Sequence, residues 1–271
     1  MDPDYELKRI ANVQTFYRKL LVKRLLSKWI GELYLGRRVK LAYFRRWLDR
    51  IALSRTASIL EVGSGDGAFA FFTAHKYAPA AVIGLELNPV EAEGCRRVAR
   101  RENLRNLNFV TSSIADVAWT DRFDLIYCLD VLEHIDDDVG AMRAMCRALK
   151  VGGYLLVHVP NRSYMETDGR IIAVPDEDAW QINPGHIRQG YTPDELATKL
   201  TRAGYELLEI QQTQGTPIAY AHKLHNRVQR VLVLRVLILP IIDLLTWIDR
   251  GKAPRHGNTV WAWARKHPDN A

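Results

Sequence analysis

From Ser58 to Val159, short apolar runs alternate with segments whose apolar residues recur at helical spacing. That alternation predicts a parallel sheet with helices on both faces. The clearest helices are expected over Glu91 to Arg101 and Asp138 to Leu149. Upstream, Val13, Phe16, Leu20 and Tyr17, Leu21, Leu25 recur at helical spacing, so residues 6–52 read as two or three helices, with Gly31 and Gly36 as breaks. Residues 162–190 interrupt the alternation with Pro175, Pro184, Gly185 and Gly190, and read as a long active-site loop. Thr192 then caps a helix with Pro193 at its first position, ending near Gly204, and Tyr205 to Gln211 reads as a sixth strand. Residues 216–256 form an insertion before a closing strand over residues 257–265. The expected fold is α/β: a seven-stranded, doubly wound, mostly parallel sheet. It carries an N-terminal helical extension (1–55) on a main domain (56–271).

The core of the insertion, Val231 to Ile248, is very apolar. Arg235, Pro240 and Asp243 interrupt it, whereas a membrane span wants about 20 predominantly apolar residues. In order of expectation, it is a buried pair of helices, a lid over an apolar substrate, or an interfacial anchor.

The run Ser58-Ile-Leu-Glu-Val-Gly-Ser-Gly-Asp-Gly-Ala-Phe-Ala passes from strand through a glycine loop into a helix. Glycine permits tight turning and close backbone approach, and a helix start offers free N–H groups to a cofactor. Taken alone, Gly63-x-Gly65-x-x-Ala68 also satisfies the dinucleotide fingerprint of a nicotinamide-linked oxidoreductase. The residues that follow decide between the two. The whole series resembles the class I S-adenosylmethionine-dependent methyltransferases, whose acidic-x-Gly-x-Gly-x-Gly motif is matched by Glu61, Gly63, Gly65 and Gly67. The next apolar run ends in Glu86, placed to accept hydrogen bonds from the cofactor ribose. Asn108 to Ile114, Phe123 to Ile135 and Leu149 to Asn161 follow in the family's order, the last through a Lys-Gly-Gly turn. Ser113 stands where the family often has Asp facing the adenine, and Asp130 falls near the methionine end. The resemblance spans residues 58–210 and implies S-adenosylmethionine as cofactor.

Within that family, Cys128-Leu-Asp-Val-Leu-Glu-His-Ile, Pro160-Asn161 and Pro184-Gly-His-Ile-Arg-Gln-Gly-Tyr-Thr-Pro-Asp-Glu-Leu look most like the ubiquinone-biosynthesis O-methyltransferases. They are also similar to the small-RNA terminal 2′-O-methyltransferases, in which an acid-x-x-Glu-His run and a later His hold a divalent metal. Asp130 replaces that family's Glu, a shorter reach. Asp130, Glu133 and His134 lie at i, i+3, i+4 and would share a face if helical, with His186 joining from the loop. Two carboxylates and two imidazoles suit Mg²⁺, Mn²⁺ or Zn²⁺. Without a metal, His134 or His186 is the expected general base, because imidazole titrates near neutral pH. Tyr191 is a candidate for the pocket lining. His158 reads as a core or rim residue of the fifth strand, and His75, His222, His225, His256 and His267 belong to no constellation.

Charge changes the picture at one end only. Residues 1–55 hold 14 Lys/Arg against 5 Asp/Glu, while the remainder holds 24 against 26. Such asymmetry marks either an anionic partner or a solvated helical face. Cys95, Cys128 and Cys146 are scattered with no CxxC pair, so a disulfide framework is not expected and a reducing compartment fits. The acidic, polar N-terminus does not read as a secretory signal. The expectation is a cytoplasmic methyltransferase acting on a hydroxyl of a small or lipid-like molecule. Peripheral membrane contact would come through the basic helices or 231–248. The rivals are an RNA 2′-O-methyltransferase, an N- or C-methyltransferase of small molecules, and a non-catalytic S-adenosylmethionine-binding partner.

Overall fold

The computed structural model describes residues 13–22, 24–25, 34–78, 80–165, 168, 170–173, 175, 185–251, 254 and 256–267. After a helical stretch over 13–22, the elements run α1 (Leu35–Leu48), β1 (Ser58–Val62), α2 (Ala68–Lys76), β2 (Ala81–Glu86), α3 (Pro89–Arg101), β3 (Leu107–Thr111), β4 (Phe123–Leu129), α4 (Asp138–Ala148) and β5 (Leu149–Pro160). Then come β6 (Ser163–Met165), β7 (Ile171–Ala173), α5 (Pro193–Arg202), β8 (Tyr205–Thr213), α6 (Thr216–Val228), α7 (Leu232–Leu237), α8 (Leu239–Gly251) and β9 (Thr259–Lys266).

Seven strands form one sheet in the order β3-β2-β1-β4-β5-β9-β8. β1, β2, β3, β4 and β5 pair in parallel, and β9 inserts antiparallel between β5 and β8. The order reverses beside β1, so β1 and β4 open a crevice at their C-terminal ends, where an α/β sheet binds its ligand. The central strands are apolar on both faces because helices cover both. Ile59 and Leu60 of β1 and Leu125 and Ile126 of β4 are fully buried. Caps fix the helix starts. Asn88 accepts from the Val90 amide ahead of Pro89, and Thr192 accepts from the Glu195 amide ahead of Pro193.

α1 belongs to the same core. Its buried face is Val39, Tyr43, Phe44, Trp47 and Leu48. Trp47 stacks on Trp261 of β9 and Phe44 meets Tyr127 of β4 edge-on, with centroids 6.4 and 4.8 Å apart. Three of its basic residues pair with acids elsewhere: Arg37 with Asp66 (2.7 Å), Arg38 with Asp243 (2.5 Å) and Lys40 with Asp130.

Three expectations need correction. Gly36 does not break a helix. It sits in the first turn of α1, where a helix has no intrahelical amide bond to lose. Residues 162–190 are not wholly loop, because β6 and β7 pair as a short antiparallel hairpin. Asp130 and Glu133 do not share a helix. Asp130 has φ +55°, and only a 3₁₀ turn over Leu132–His134 follows. Gly31 and Pro184 lie outside the described residues.

Candidate active site

A cavity of about 900 Å³ opens at the C-terminal ends of β1, β4 and β5. α1 and α6 close its sides with Arg37, Lys40 and His222. The glycine loop forms one wall. The amides of Gly63 and Ser64 both donate to the Leu85 carbonyl, which ties the loop to β2. Gly63, Gly65 and Gly67 all have positive φ (71°, 51° and 73°). A Cβ on Gly63 would stand 2.3 Å from Val131, and one on Gly67 would stand 2.9 Å from Phe71 and Phe109. Gly65 faces open space in the cavity instead, with only a Glu91 carboxylate oxygen 3.7 Å away. Gly63 and Gly67 thus answer to packing, and Gly65 leaves room for a ligand.

Two carboxylates flank this loop. Glu61 is buried beneath it, 3.4 Å from the Tyr127 hydroxyl, and burial pushes its carboxyl well above the usual range. Glu86 ends β2 and accepts from the amides of Gly65 (2.6 Å) and Asn88 (2.9 Å). These bonds fix the carboxylate against the glycine loop; Glu86 itself, like Gly67, is not among the residues that line the cavity. Ser113 is not part of the cavity wall. Its hydroxyl accepts from the Ala115 amide 3.2 Å away and closes a local turn.

The opposite wall is a set of titratable groups. Asp130 accepts from His158 Nδ1 at 2.5 Å and pairs with Lys40 through its other oxygen. A carboxylate facing Nδ1 places the proton there, which leaves Nε2 with a lone pair. That Nε2 is buried without a partner, and burial holds the imidazole well below its ordinary value. Glu133 is fully buried with both carboxylate oxygens unpartnered. Burial pushes its carboxyl up to about 7 against the opposing pull of Lys40, whose ammonium burial brings down to about 8.

His134 and His186 meet edge to face, with ring centroids 4.7 Å apart. His134 Nδ1 lies 2.7 Å from the Gly185 carbonyl, which can only accept. Nδ1 therefore carries a hydrogen, and Nε2 of the neutral ring has the free lone pair. His186 Nδ1 is buried without a partner, and burial, then its neighbour His134, lowers its basicity. The segment carrying His186 is pinned by the Ile187 amide donating to the Glu133 carbonyl (2.9 Å) and by Arg188 donating to the carbonyls of Ile135 and Asp136 (3.0 Å each). Tyr191 helps from below. It is buried, outside the cavity wall, and donates to Asp138 (2.8 Å).

The structure thus brings His134, His186 and Glu133 together, with Asp130 on the same cavity but engaged elsewhere. Among the described residues, potential ligand atoms of Glu133, His134 and His186 all lie within 4.8 Å of one another, room for one cation; Asp130 does not join them. Lys40 and His222 are wall residues that the sequence did not disclose, whereas His158, read as a core or rim residue of the fifth strand, is both buried and on the wall. His158 left a readable trace, a polar residue inside the apolar, buried C-terminal half of β5. Lys40 left none, since nothing in the chain pattern shows what α1 packs against.

Residues 35–210 match the family model described as "Methyltransferase domain". Ubiquinone biosynthesis O-methyltransferase from Pseudomonas paraeruginosa is 27% identical over 190 residues, covering 67% of this chain and 78% of that protein. The protein of that name from Acinetobacter baumannii is 24% identical over 178 residues, covering 64% and 73%. Among solved structures, an S-adenosylmethionine-dependent methyltransferase from Mesorhizobium loti aligns with a TM-score of 0.58 at 16% identity, over 86% of this chain and all of that one (100%). Phosphoethanolamine N-methyltransferase 2 from Haemonchus contortus, solved with S-adenosyl-L-methionine, aligns with a TM-score of 0.59 at 17% identity, over 81% and 51%. At such identities the two structures speak for the fold.

Proposed function

The chain belongs to the methyltransferase domain family and is an S-adenosylmethionine-dependent enzyme, and we propose that it methylates a hydroxyl oxygen of a small or lipid-like molecule, with His134 as the base. The observation that carries this is the His134 Nδ1 bond to the Gly185 carbonyl, which turns the Nε2 lone pair to the task.

The site fits the cofactor. Gly65 leaves its wall open, and Glu86 stands fixed at the end of β2. In the proposal Glu86 accepts from the ribose hydroxyls, and Gly63, Gly65 and Gly67 let the backbone approach the cofactor. Glu61 supports the loop from beneath, and Asp130 with Lys40 faces the methionine end. Ser113 stays in the assignment only as a turn-former near the adenine. When bound, the cofactor supplies an electrophilic methyl on a sulfonium that leaves as a neutral thioether. His134 Nε2 takes the acceptor's hydroxyl proton as the oxygen forms its bond to that methyl, and His186 packs the imidazole in place. Holding the oxygen in line with the methyl is the larger part of the work.

An O-methyl acceptor draws support from the ubiquinone O-methyltransferase relatives. RNA draws less, because Arg37, Arg38 and Lys40 of the basic segment pair with acids of the protein itself. A metal-assisted version has one observation in its favour, the Glu133–His134–His186 triangle. One experiment separates these readings. Protein and cell lysate are incubated with methyl-labelled S-adenosylmethionine, with and without EDTA, and the label is partitioned. Label in the organic extract that persists in EDTA is expected. Label in nuclease-sensitive material, or loss with EDTA, overturns the acceptor or the base assignment respectively.

A further inference from the structure

The apolar insertion is half used by the fold. α8 buries Leu239, Ile242, Thr246 and Asp249, one face at helical spacing. Its other face leaves Ile241, Leu244 and Trp247 at 48%, 55% and 69% exposure, and α7 and the turn before it add Val231, Val233, Leu234 and Leu237. Single exposed apolar residues need no explanation, but seven on two successive helices and the turn before them do.

The charge of the insertion's sequence is one-sided. Residues 216–256 contain seven Lys/Arg and two Asp. Both acids are engaged. Asp243 pairs with Arg38 at 2.5 Å, and buried Asp249 accepts from the Tyr43 hydroxyl and from the amides of Gln214 (3.0 Å) and Gly215 (2.9 Å). Arg227 and Arg230 are exposed immediately before Val231. A second copy of this chain would set like charge against like. An anionic lipid surface satisfies both features, since it takes apolar side chains into its acyl boundary and basic ones at its headgroups. Trp suits that boundary, with an apolar ring and a polar N–H. No helix among the described residues is long and apolar enough to cross a membrane, so the contact lies along the surface.

We propose that the exposed face of α7 and α8 docks this protein on an anionic lipid surface, with Val233, Leu237, Ile241, Leu244 and Trp247 inserted at the boundary and Arg227 and Arg230 on the headgroups. The docking does not depend on which acceptor is methylated.

Co-sedimentation of the full chain with phosphatidylcholine vesicles, with and without phosphatidylglycerol, tests it. Binding is expected only when phosphatidylglycerol is present, and should weaken as salt is raised. The Leu237→Asp/Leu244→Asp double variant should bind these vesicles about tenfold more weakly, because it withdraws two apolar anchors. Its affinity for S-adenosylhomocysteine, measured by calorimetry, should be unchanged. Trp247→Ser, a single change at the most exposed of these positions, keeps the test readable if the double variant fails to fold. No binding to anionic vesicles, equal binding to phosphatidylcholine alone, or unaltered binding by folded variants would overturn the proposal. So would a wild-type dimer that the same substitutions convert to monomer, which would make the face an interface between copies.

Discussion

Glu133 and Lys40 share the wall of one cavity, near enough that each shifts the other's titration. Burial opposes the charge on both, so the carboxyl rises to about 7 and the ammonium falls to about 8. A carboxyl raised on folding contributes stability while protonated and loses it as pH climbs through the folded value. Between its ordinary 4.5 and about 7, Glu133 should therefore cost the protein stability as pH rises. The stability of the wild type relative to Glu133→Gln, followed by melting from pH 5 to pH 8, should fall by a few degrees, on the order of 1–3 kcal/mol. A difference that does not change with pH would place the titration elsewhere.

Glu86 makes two backbone hydrogen bonds and, in the proposal, two more to the cofactor ribose. Replacing it by Ala should weaken S-adenosylhomocysteine binding by about 10- to 100-fold, as expected for lost hydrogen bonds to a charged group. Calorimetry gives the number directly, and unchanged affinity would remove Glu86 from the cofactor site.

Gly63→Ala puts a methyl where Val131 already stands, 2.3 Å away, at a φ of +71°. Strain and collision together should destabilise the fold by about 2–4 kcal/mol. Gly65→Ala shares the backbone strain of a positive φ (+51°) but meets no close atom, so it should lose less stability than Gly63→Ala and more cofactor affinity. Thermal unfolding and calorimetry on the pair separate the two roles, and a reversed order would contradict the assignment.

Asp249 joins α8 to α1 through Tyr43 and to the loop after β8 through the Gln214 and Gly215 amides. Asp249→Ala leaves those three donors buried and unpaired, which should cost about 3–5 kcal/mol. Denaturant unfolding should show the loss; a cost below 1 kcal/mol would mean water replaces the carboxylate.

Local patterns carried much of this architecture. The alternation of runs from Ser58 to Val159 gave the parallel strands, and the glycine loop with its acidic partner at Glu86 located the crevice. Thr192 and Pro193 announced α5 because capping is a property of neighbouring residues. What stayed hidden depends on distant packing. Lys40 reaches Asp130 across 90 residues of chain, and Tyr43 reaches Asp249 across 206. The left-handed Asp130 and the 3₁₀ turn over Leu132–His134 break the helical spacing on which a shared face was expected. His186 did join His134, but only the fold could show that Gly185 fixes the tautomer. The basic N-terminal charge, legible as a number, has part of its explanation in internal ion pairs.

In the proposed reaction His134 Nε2 takes the acceptor proton. Methyl transfer by wild type and His134→Gln, compared across pH 6 to pH 9 in EDTA at saturating S-adenosylmethionine with the cell's organic extract as acceptor, tests that step. A loss of about 10²- to 10⁴-fold in rate and disappearance of one ionisation from the pH profile are expected, with S-adenosylhomocysteine affinity retained. A variant that transfers methyl at the wild-type rate with the wild-type pH profile would contradict that step.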